Sequence, residues 1–489
     1  MMKERGITLI SLVITIVIIL ILATITINML TGENGIIKNT GKAKEATEIA
    51  NEKEIVQRAI VNAIVKNKYG DLKQDDVEKQ LNEEQEGRTE VTDVGDEFEI
   101  LFKESNRYYT VDKDGNISEE QIATKIENAG DITKGGILDG SKEKPYKIDC
   151  IEDLIEWSNN YFKYINSNIE LGRNLNFKSK FSYANSTSTE YGDLNEDGNI
   201  ESISEELCKG KGYTPITQFG GFLNGNNRKI SNIYINNEKL SRVGFISEAQ
   251  YGIIIKNLTI SGEIRSTGNH TGGFIGCISN TKSEENENGK IENCHNYANI
   301  YGNAYSGGIV GYINQNAKLE TIANCSNFGK IKNTIRDYYA GGIVANTDSS
   351  NLKIERCYNA GEVDGSGITG NNRSIINNCY NKGKTKCGLV GSNQNEINNC
   401  YNIGICTEKC IIRNSNYTLS HIYNCFSEID FADKIALQYG SIDDKSKIFK
   451  RGYMQTSDFF NYLNKDDIWK QDTAKMNNGY PIFKWQQNF

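Results

Sequence analysis

The longest uncharged stretch of the chain lies close to its start. Residues 7–30 contain 24 consecutive positions without Asp, Glu, Lys or Arg. At about 1.5 Å of rise per residue, such a helix crosses a hydrocarbon layer of about 30 Å. A cleaved secretory signal is the alternative, but its apolar region usually has about 7 to 15 residues and a small-residue cleavage site. Because Lys3 and Arg5 precede the run, we expect a single-pass helix at the cell membrane with the C-terminal region extracellular.

Beyond this run, the apolar positions take a helical spacing. Ile49, Val56, Ile60 and Ala63 follow one another at separations of 7, 4 and 3, which places them on one face of a helix. Further along, the pattern predicts a short helix and two alternating strands, at 75–82, 97–103 and 108–112. We therefore expect a helix with a small β unit at 36–120, followed by a linker at 121–140.

The second half of the chain contains an internal repeat with two parts. The first part is Gly-Gly-apolar-apolar-Gly, which begins at Gly272, Gly307 and Gly341, where the third copy ends in Ala345, with a reduced copy at Gly388. The second part is apolar-x-Asn-Cys-x-Asn, with a degenerate last copy. Its cysteines are Cys294, Cys325, Cys357, Cys379, Cys400 and Cys425. Their separations of 31, 32, 22, 21 and 25 residues are too regular for chance.

Units of this length, with short strands and Asn/Gly corners, cannot bury an apolar face alone and must stack on neighbouring copies. The repeat therefore predicts a mainly β protein whose C-terminal part is a right-handed parallel β-helix, or β-solenoid. Stacked coils would place Cys above Cys, with Ile and Asn forming similar internal columns. The glycines beside the apolar pair would permit the tight bend or the positive φ that a coil corner requires. We assign the entry to the solenoid to 141–270, the repeats to 271–430 and a C-terminal closing segment to 431–489.

Composition excludes several classes of function. The net charge of −8 and the pI of about 5.3 argue against a nucleic-acid partner. The three histidines, His270, His295 and His421, are scattered without ligand spacing, which argues against a His-based metal site or catalytic dyad.

The first thirty residues resemble the N-terminal cleavage and methylation segment of type IV prepilins and pseudopilins. The resemblance rests on the leader at 1–6, which ends in Lys3-Glu4-Arg5-Gly6, and on the apolar helix that opens with Ile7-Thr8-Leu9-Ile10. It implies cleavage by prepilin peptidase between Gly6 and Ile7, and methylation of the new terminus. Ser11 stands where pilins carry a Glu that neutralises a neighbour's terminal amine, which disfavours a major pilin. A minor pilin or pseudopilin, or a protein merely anchored by this helix, fits better.

The repeats resemble the GLUG motif of bacterial surface proteins. The flanking elements Lys144-Pro145-Tyr146-Lys147-Ile148 and Phe222-Leu223-Asn224-Gly225-Asn226-Asn227 are similar to those found beside such repeats. The end of the chain, from Ile468-Trp469 to Trp485, resembles the segment that closes them. This similarity implies a cell-surface β-helix, often attached to adhesins or secreted peptidases, with no chemistry assigned to the repeat itself.

One loop carries the oxygen pattern of a calcium site. Its candidate ligands are Asp193, Asn195, Asp197, Asn199 and Glu201, with Gly198 allowing the turn. Ser204 stands where an EF-hand has a bidentate Glu, so we expect a weak extracellular calcium site. An exposed acidic Asx-rich turn is the alternative.

The repeated cysteines and tyrosines suit packing. Because half of the twelve Cys recur at one repeat position, we expect buried thiols, although stacked neighbours could be oxidised and Cys406 could pair with Cys410. Tyr358, Tyr380 and Tyr401 follow repeat cysteines and form either a packed column or an outward stripe suited to sugar or protein contact.

These patterns favour a membrane-anchored bacterial surface protein for display and adhesion rather than an enzyme. Its expected partners are the membrane, prepilin peptidase, other pilins, and a glycan or host-surface protein. A carbohydrate-active β-helix lyase or hydrolase is one alternative, but the few acids of the repeats, notably Glu355, Glu362 and Asp364, show no paired acid/base motif. A non-binding structural spacer is the other.

Overall fold

A computed structural model describes most of the chain. The described residues are 36–67, 72–95, 97–118, 121–123, 128–183, 212–237, 240–250, 252–279, 288–335, 339–414, 420–428, 441–443, 445–450 and 452–486. The leader and the predicted membrane helix, with Gly6 and Ile7, lie outside them. Within these ranges, no helix combines the length and hydropathy that a membrane span requires. The chain divides into two compact units, Met1–Thr124 and Lys125–Phe489.

The first unit contains two helices and one antiparallel sheet. The helices are α1 (Ile36–Lys66) and α2 (Gln74–Gln85), and the sheet has the order β1 (Thr89–Asp93), β2 (Glu97–Phe102), β3 (Arg107–Asp112) and β4 (Gln121–Ile122). The predicted stripe of α1 faces the core, since Val56, Ile60 and Ala63 are buried. Asn106, with φ of 55°, forms the turn between β2 and β3. The predicted helices and hairpin of this region are thus present.

A buried ion pair joins α1 to β3 in this unit. Arg107 donates from Nε to Glu52 Oε2 at 2.9 Å and from Nη2 to Glu52 Oε1 at 3.0 Å, and the Tyr109 hydroxyl donates to Glu52 at 2.6 Å. Burial by itself raises the pKa of Glu52, but hydrogen bonds from Arg107, Ser105 and Tyr109 outweigh it and hold the pKa below its usual range.

Replacing Glu52 by Gln is expected to cost the first unit about 2 kcal/mol, because the buried guanidinium of Arg107 is left with the half-exposed Glu48, at 3.2 Å, as its charge partner. Since the folded pKa of Glu52 is lowered, its contribution exists above the unfolded value near 4.3 and is lost as pH falls through the folded value. The difference in thermal unfolding midpoint between wild type and Glu52→Gln should therefore be smaller at pH 3 than at pH 7. Glu54→Gln, on the exposed side of α1, serves as the control. Equal losses for both variants at pH 7 would contradict this role.

The second unit is mainly β. The sheets of its coils are parallel, and their strand order is that of a β-solenoid, in which each strand lies beside the equivalent strand of the next coil. Eight strands form one sheet, here called the lateral sheet: Ile216–Phe219, Ile246–Ala249, Ile275–Ile278, Val310–Ile313, Val344–Thr347, Thr369–Asn372, Val390–Asn393 and Ile412–Asn414. Three strands at a neighbouring corner form the corner sheet: Arg242–Val243, His270–Gly272 and Tyr305–Gly307. Each strand pairs in parallel with the equivalent strand of the next coil.

The remaining strands of the coils form the main sheet. They are Tyr146–Ile148, Asn168–Leu171, Leu175–Asn176, Phe222–Asn237, Ile254–Ser266, Gly289–Asn296, Asn299–Gly302, Leu319–Ala323, Ser326–Asn327, Ile331–Asn333, Lys353–Glu355, Tyr358–Asn359, Val363–Ser366, Ile375–Asn377, Tyr380–Asn381, Thr385–Cys387, Glu396–Asn398, Tyr401–Asn402, Cys406–Lys409, His421–Tyr423, Phe426–Glu428, Ser441–Ile442 and Lys447–Phe449. The short helix α3 (Ile151–Asn159) lies near the start of the unit, and its Trp157 is fully buried.

The repeat positions form internal columns, as predicted. The isoleucines that precede the six repeat cysteines pair in register from coil to coil and have no exposed surface: Ile291, Ile322, Ile354, Ile376, Ile397 and Ile422. Ile255 of the preceding coil extends the column. Each apolar residue therefore covers the one in the next coil, and the stack buries what a single coil would expose.

A second column consists of buried asparagine amides. Nδ2 of each Asn donates to Oδ1 of the next, from Asn296 to Asn327 at 2.7 Å and then at 2.8 Å through Asn359 and Asn381 to Asn402. The second proton of each Nδ2 goes to the backbone carbonyl two residues further on, for example from Asn359 to Gly361 at 2.8 Å. Because donors and acceptors are matched, the amides lie inside the coil without losing hydrogen bonds.

The corners of the coils decide between the two roles expected for the repeat glycines. The left-handed backbone belongs to the residue before each cysteine, with φ between 51° and 54°: Asn293, Asn324, Arg356, Asn378, Asn399 and Asn424. The glycines of the Gly-Gly pairs do not have positive φ. They are required because the next coil approaches too closely for a side chain, as at Gly308, where a Cβ would lie 2.1 Å from the Gly342 carbonyl oxygen.

The predicted linker is also structured in its second half. Ile132 is fully buried in the core of the second unit. Lys134 donates to Asp153 of α3 at 2.6 Å, and Asp131 accepts backbone hydrogen bonds from Thr133 and Gly135. The Gly-rich stretch is thus a series of side-chain-stabilised turns that covers the start of the solenoid.

Candidate functional site

The predicted calcium ligands and processing residues are not placed by the structure. Asp193, Asn195, Asp197, Asn199 and Glu201 lie outside the described residues, as do Gly6 and Ile7. In the ranges that are described, no three or more His, Cys, Asp or Glu side chains converge as a metal site would require. Calcium binding and prepilin processing therefore stay predictions.

The repeat cysteines form a buried column of thiols. Cys294, Cys325, Cys357, Cys379, Cys400 and Cys425 are fully buried and free. Each sulfur donates to the carbonyl two residues earlier, as from Cys325 to Ala323 at 3.2 Å, and the amide of Cys379 donates to the sulfur of Cys400 at 3.2 Å. Burial raises the pKa of Cys325 well above its usual value. These thiols act as small core side chains, and Cys406 and Cys410 form no disulfide with each other.

The tyrosines beside the cysteines stack but do not form an outward stripe. The ring centroids of Tyr358, Tyr380 and Tyr401 are 4.9 Å apart at each step, and the rings are nearly parallel. All three are buried, because the closing segment lies across them. Gln486 Nε2 donates to the Tyr380 hydroxyl at 2.8 Å, and Asn477 Nδ2 donates to that of Tyr401 at 3.1 Å.

The closing segment covers this column in sequence order. It contains the helix α4 (Ser457–Leu463) and the antiparallel strands Trp469–Lys470 and Ile482–Phe483. Its rings meet successively earlier coils: Phe459 contacts Phe426, Trp469 contacts Tyr401, Phe483 contacts Tyr380, and Trp485 contacts Tyr358 and His295. The tyrosine column is therefore part of a core and is unavailable as a binding surface.

An accessible row of side chains runs along the lateral sheet. Strand register aligns one position of seven successive coils, in the order Gln218, Glu248, Cys277, Tyr312, Asn346, Asn371 and Ser392. Cys277 and Asn346 are buried and the other five side chains are half-buried, whereas the isoleucine and repeat-cysteine columns lie inside the coils. Asn371 Nδ2 donates to Asn346 Oδ1 at 2.9 Å.

Four rings converge where this row meets the corner sheet, and we call them the aromatic platform: His270, Tyr305, Tyr312 and Tyr339. His270 stacks on Tyr312 with centroids 4.7 Å apart and an interplanar angle of 14°. The ring centroid of Tyr305 lies 5.5 Å from that of His270 and 5.1 Å from that of Tyr339. All four rings are half-buried, so each keeps part of its surface open to solvent.

A glycine lets the corner sheet reach the lateral sheet at this point. Gly311 is the last glycine of a Gly-Gly-apolar-apolar-Gly motif, and a Cβ there would lie 2.7 Å from the amide nitrogen of Thr271. Thr271 follows His270 in the corner sheet, and Gly311 precedes Tyr312 in the lateral sheet. The absence of a side chain at Gly311 therefore allows the His270 and Tyr312 rings to stack.

Two ion pairs border the aromatic platform. Arg242 donates to Glu248, and Glu248 also accepts from the Ser279 hydroxyl. On the other side, the Tyr312 hydroxyl donates to Asp348 Oδ2 at 2.7 Å, and Arg373 Nε lies 3.7 Å from Asp348 Oδ1. Two positive and two negative charges are thus arranged in matched pairs around the rings.

Burial and neighbouring groups fix the protonation states of His270 and Glu248 near neutral pH. Burial, followed by the positive charge of Arg242, lowers the pKa of His270 to about 4. Burial raises the pKa of Glu248, but hydrogen bonds from Ser279 and Gln250 together with Arg242 bring it below its usual range. At neutral pH the His270 ring is therefore neutral and Glu248 is ionised.

The aromatic platform is not evident from the amino-acid sequence. Its residues come from different coils and form no continuous motif. A signal was nevertheless present at one repeat position, since the residue two places before each Gly-Gly pair is aromatic or His: His270, Tyr305 and Tyr339. The partner Tyr312 becomes visible only when the strand register is known.

Comparisons with known proteins give local similarity. No family model matches the chain. Halomucin of Haloquadratum walsbyi is 34% identical over 100 residues, which cover 20% of this chain and 1% of that protein, so the match spans only a small part of the curated relative. A solved structure described as a "putative immunoglobulin A1 protease from Bacteroides ovatus" superposes with a TM-score of 0.43 at 16% identity, covering 74% of this chain and 99% of that one.

Proposed function

We propose that this protein is a membrane-anchored bacterial surface protein whose β-solenoid displays an adhesive face outside the cell. The observation that carries the proposal is the accessible row of the lateral sheet, which repeats coil after coil while the apolar columns are internal. A stack of this kind presents one extended surface with little variation in backbone geometry. The buried tyrosine and thiol columns serve stability.

The anchor in this proposal is the prepilin-like segment. Prepilin peptidase would cut after Gly6, and the apolar helix that starts at Ile7 would hold the chain in the membrane. The GLUG-like repeats and the uncharged run of 24 residues support this arrangement. Because Ser11 replaces the usual Glu, the protein would act as a minor pilin or pseudopilin, or as an anchored surface protein outside any fibre.

The carboxylates beside the aromatic platform favour binding over glycan cleavage. Glycosidases need one carboxylic acid with a raised pKa beside an ionised carboxylate. Glu248 has a lowered pKa and an Arg242 partner, and Asp348 accepts from Tyr312. Such groups suit fixed hydrogen-bond acceptors better than a general acid.

Mass spectrometry of the mature N-terminus tests the anchor. In cells that contain prepilin peptidase, the expected terminus is methylated Ile7, and protease added to intact cells should degrade the second unit. Gly6→Leu should leave the leader attached, whereas Gly35→Leu should be processed normally. A chain that is protected from external protease, or a terminus created beyond residue 30, would contradict the proposal.

A further inference from the structure

We propose that the aromatic platform is a binding site for a neutral glycan chain, which deepens the adhesive role proposed above and rests on it. His270, Tyr305, Tyr312 and Tyr339 are the residues that would bind the sugar rings. The inference stands on the ring geometry, the balance of charges around the rings and the continuation of the polar row along the lateral sheet.

Partly exposed aromatic rings recur on three successive coils. His270, Tyr305 and Tyr339 occupy equivalent repeat positions, and their centroids are 5.5 Å and 5.1 Å apart along the series. The negative face of an aromatic ring attracts the weakly positive C–H groups on the face of a pyranose. Rings that recur at successive coils would therefore contact successive parts of one extended ligand.

The platform also supplies directional hydrogen bonds. Arg242 and Glu248 lie on one side, with Asp348 and Arg373 on the other. Their side chains are about one quarter to two fifths exposed, so their remaining donors and acceptors can reach a ligand. Sugar hydroxyls both donate and accept, which matches a border that contains guanidinium and carboxylate groups together.

The balance of charge selects among ligands. Among the residues that the structure describes, the border contains two cations and two anions in matched pairs, so these four groups set up no strong net field of either sign. An acidic polysaccharide, a nucleic acid or a basic peptide would meet no net complementary charge from them. A neutral polyhydroxylated chain needs none, and we therefore commit to a neutral glycan.

The polar row indicates that the ligand has several sugar units. Beyond Tyr312, the same register continues through the buried Asn346 to Asn371 and Ser392, which are half-buried. Adjacent parallel strands are about 4.8 Å apart, so Asn371 and Ser392 extend the contact surface to the second and third coils beyond Tyr312. Amide and hydroxyl groups at these steps would hydrogen-bond a chain that lies across the coils.

Calorimetric titration of the full-length protein tests this inference. The protein is kept in a detergent without a sugar headgroup, such as lauryldimethylamine oxide, and titrated with cellohexaose, chitohexaose, mannohexaose and the acidic hexamer of galacturonate. We expect at least one neutral hexasaccharide to bind, and the acidic hexamer to bind at least about tenfold more weakly than that one.

Matched variants locate the binding. Tyr305→Ala and Tyr339→Ala should each weaken the neutral hexasaccharide about tenfold, because each removes one stacking face. Tyr312→Phe, which keeps the ring and removes the hydroxyl, should weaken it less. Tyr297→Ala removes a tyrosine that is 41% exposed on the main sheet and should leave the affinity unchanged. Circular dichroism establishes whether each variant is folded. If one of the two alanine variants does not fold, the affinity of the other alone tests the site.

The inference is overturned if no neutral hexasaccharide of this panel binds, if the galacturonate hexamer binds best, or if Tyr297→Ala weakens binding as much as the platform variants. Capture of a protein partner that does not depend on Tyr305 and Tyr339 would also count against it. Processing at Ile7 and exposure on intact cells are measured separately. If Ile7 is the mature terminus and the second unit is exposed on cells but no hexasaccharide binds, only the glycan site is rejected. If processing and exposure are not observed, the proposed surface role is rejected.

Discussion

Replacing Gly308 by alanine is expected to disrupt the middle of the solenoid. A Cβ at this position would lie 2.1 Å from the carbonyl oxygen of Gly342 and 2.7 Å from Oδ1 of Asn327. The first atom belongs to the backbone of the next coil and the second to the buried amide column, so neither can move without breaking hydrogen bonds. We expect a loss of about 3 kcal/mol or more in the free energy of unfolding of the second unit.

Urea unfolding followed by circular dichroism measures this effect, and Gly136 provides the control. Gly136 has φ of 78° but open space where a Cβ would be placed. Gly136→Ala should therefore cost only the strain of a left-handed alanine, about 1 kcal/mol. Similar urea midpoints for Gly308→Ala and wild type would show that the coils do not approach each other as described.

Asn359→Asp is expected to cost about 3 to 5 kcal/mol at pH 7. In the native protein, Asn359 Nδ2 donates to Asn381 Oδ1 and to the Gly361 carbonyl, each at 2.8 Å. Aspartate puts an oxygen where that amide group was, so a buried anion faces two acceptors and keeps only the hydrogen bond from Asn327. The same substitution at Asn398, which is partly exposed, should cost much less.

The penalty at Asn359→Asp should depend on pH with a definite sign. Burial raises the folded pKa of the new carboxyl above the unfolded value near 3.9, so the folded state holds the proton more tightly. The free energy of unfolding, relative to wild type, should then fall as pH rises from about 4 toward 7, by up to about 1.4 kcal/mol per pH unit. A penalty that is equal at pH 4 and pH 7 would mean that the carboxyl is solvated and the amide column is not closed.

The internal columns could be predicted because they repeat. Cys325, Cys357 and Cys379 occur at equal positions in units too short to fold alone, and stacking is then the way to bury their neighbours. Strand register, the Ile column and free thiols follow from that argument. The conformation of the corners could not be read in the same way, since Asn and Gly both tolerate positive φ and both recur in each unit.

The fate of the tyrosines depended on contacts that no repeat encodes. Tyr380 is covered by Phe483 and Gln486, about one hundred positions further along the chain. Nothing near Tyr380 distinguishes a ring under such a cover from a ring in solvent. The aromatic platform was hidden for a related reason, because Tyr312 and His270 meet only through the pairing of adjacent coils and the space left at Gly311.

The closing segment contacts the tyrosine column ring by ring, and these contacts limit how many repeat units the gene can gain or lose. From Phe459 to Trp485, the segment covers a set number of coils, ending at Tyr358 and His295. Duplicating one unit between Tyr358 and Phe426 would add a ring that the segment is too short to shield, and deleting one would leave a surplus Trp or Phe without a neighbour. The closing segment therefore fixes the number of these units. Tandem repeats otherwise gain and lose copies by unequal recombination, but here a change in copy number would expose an aromatic ring.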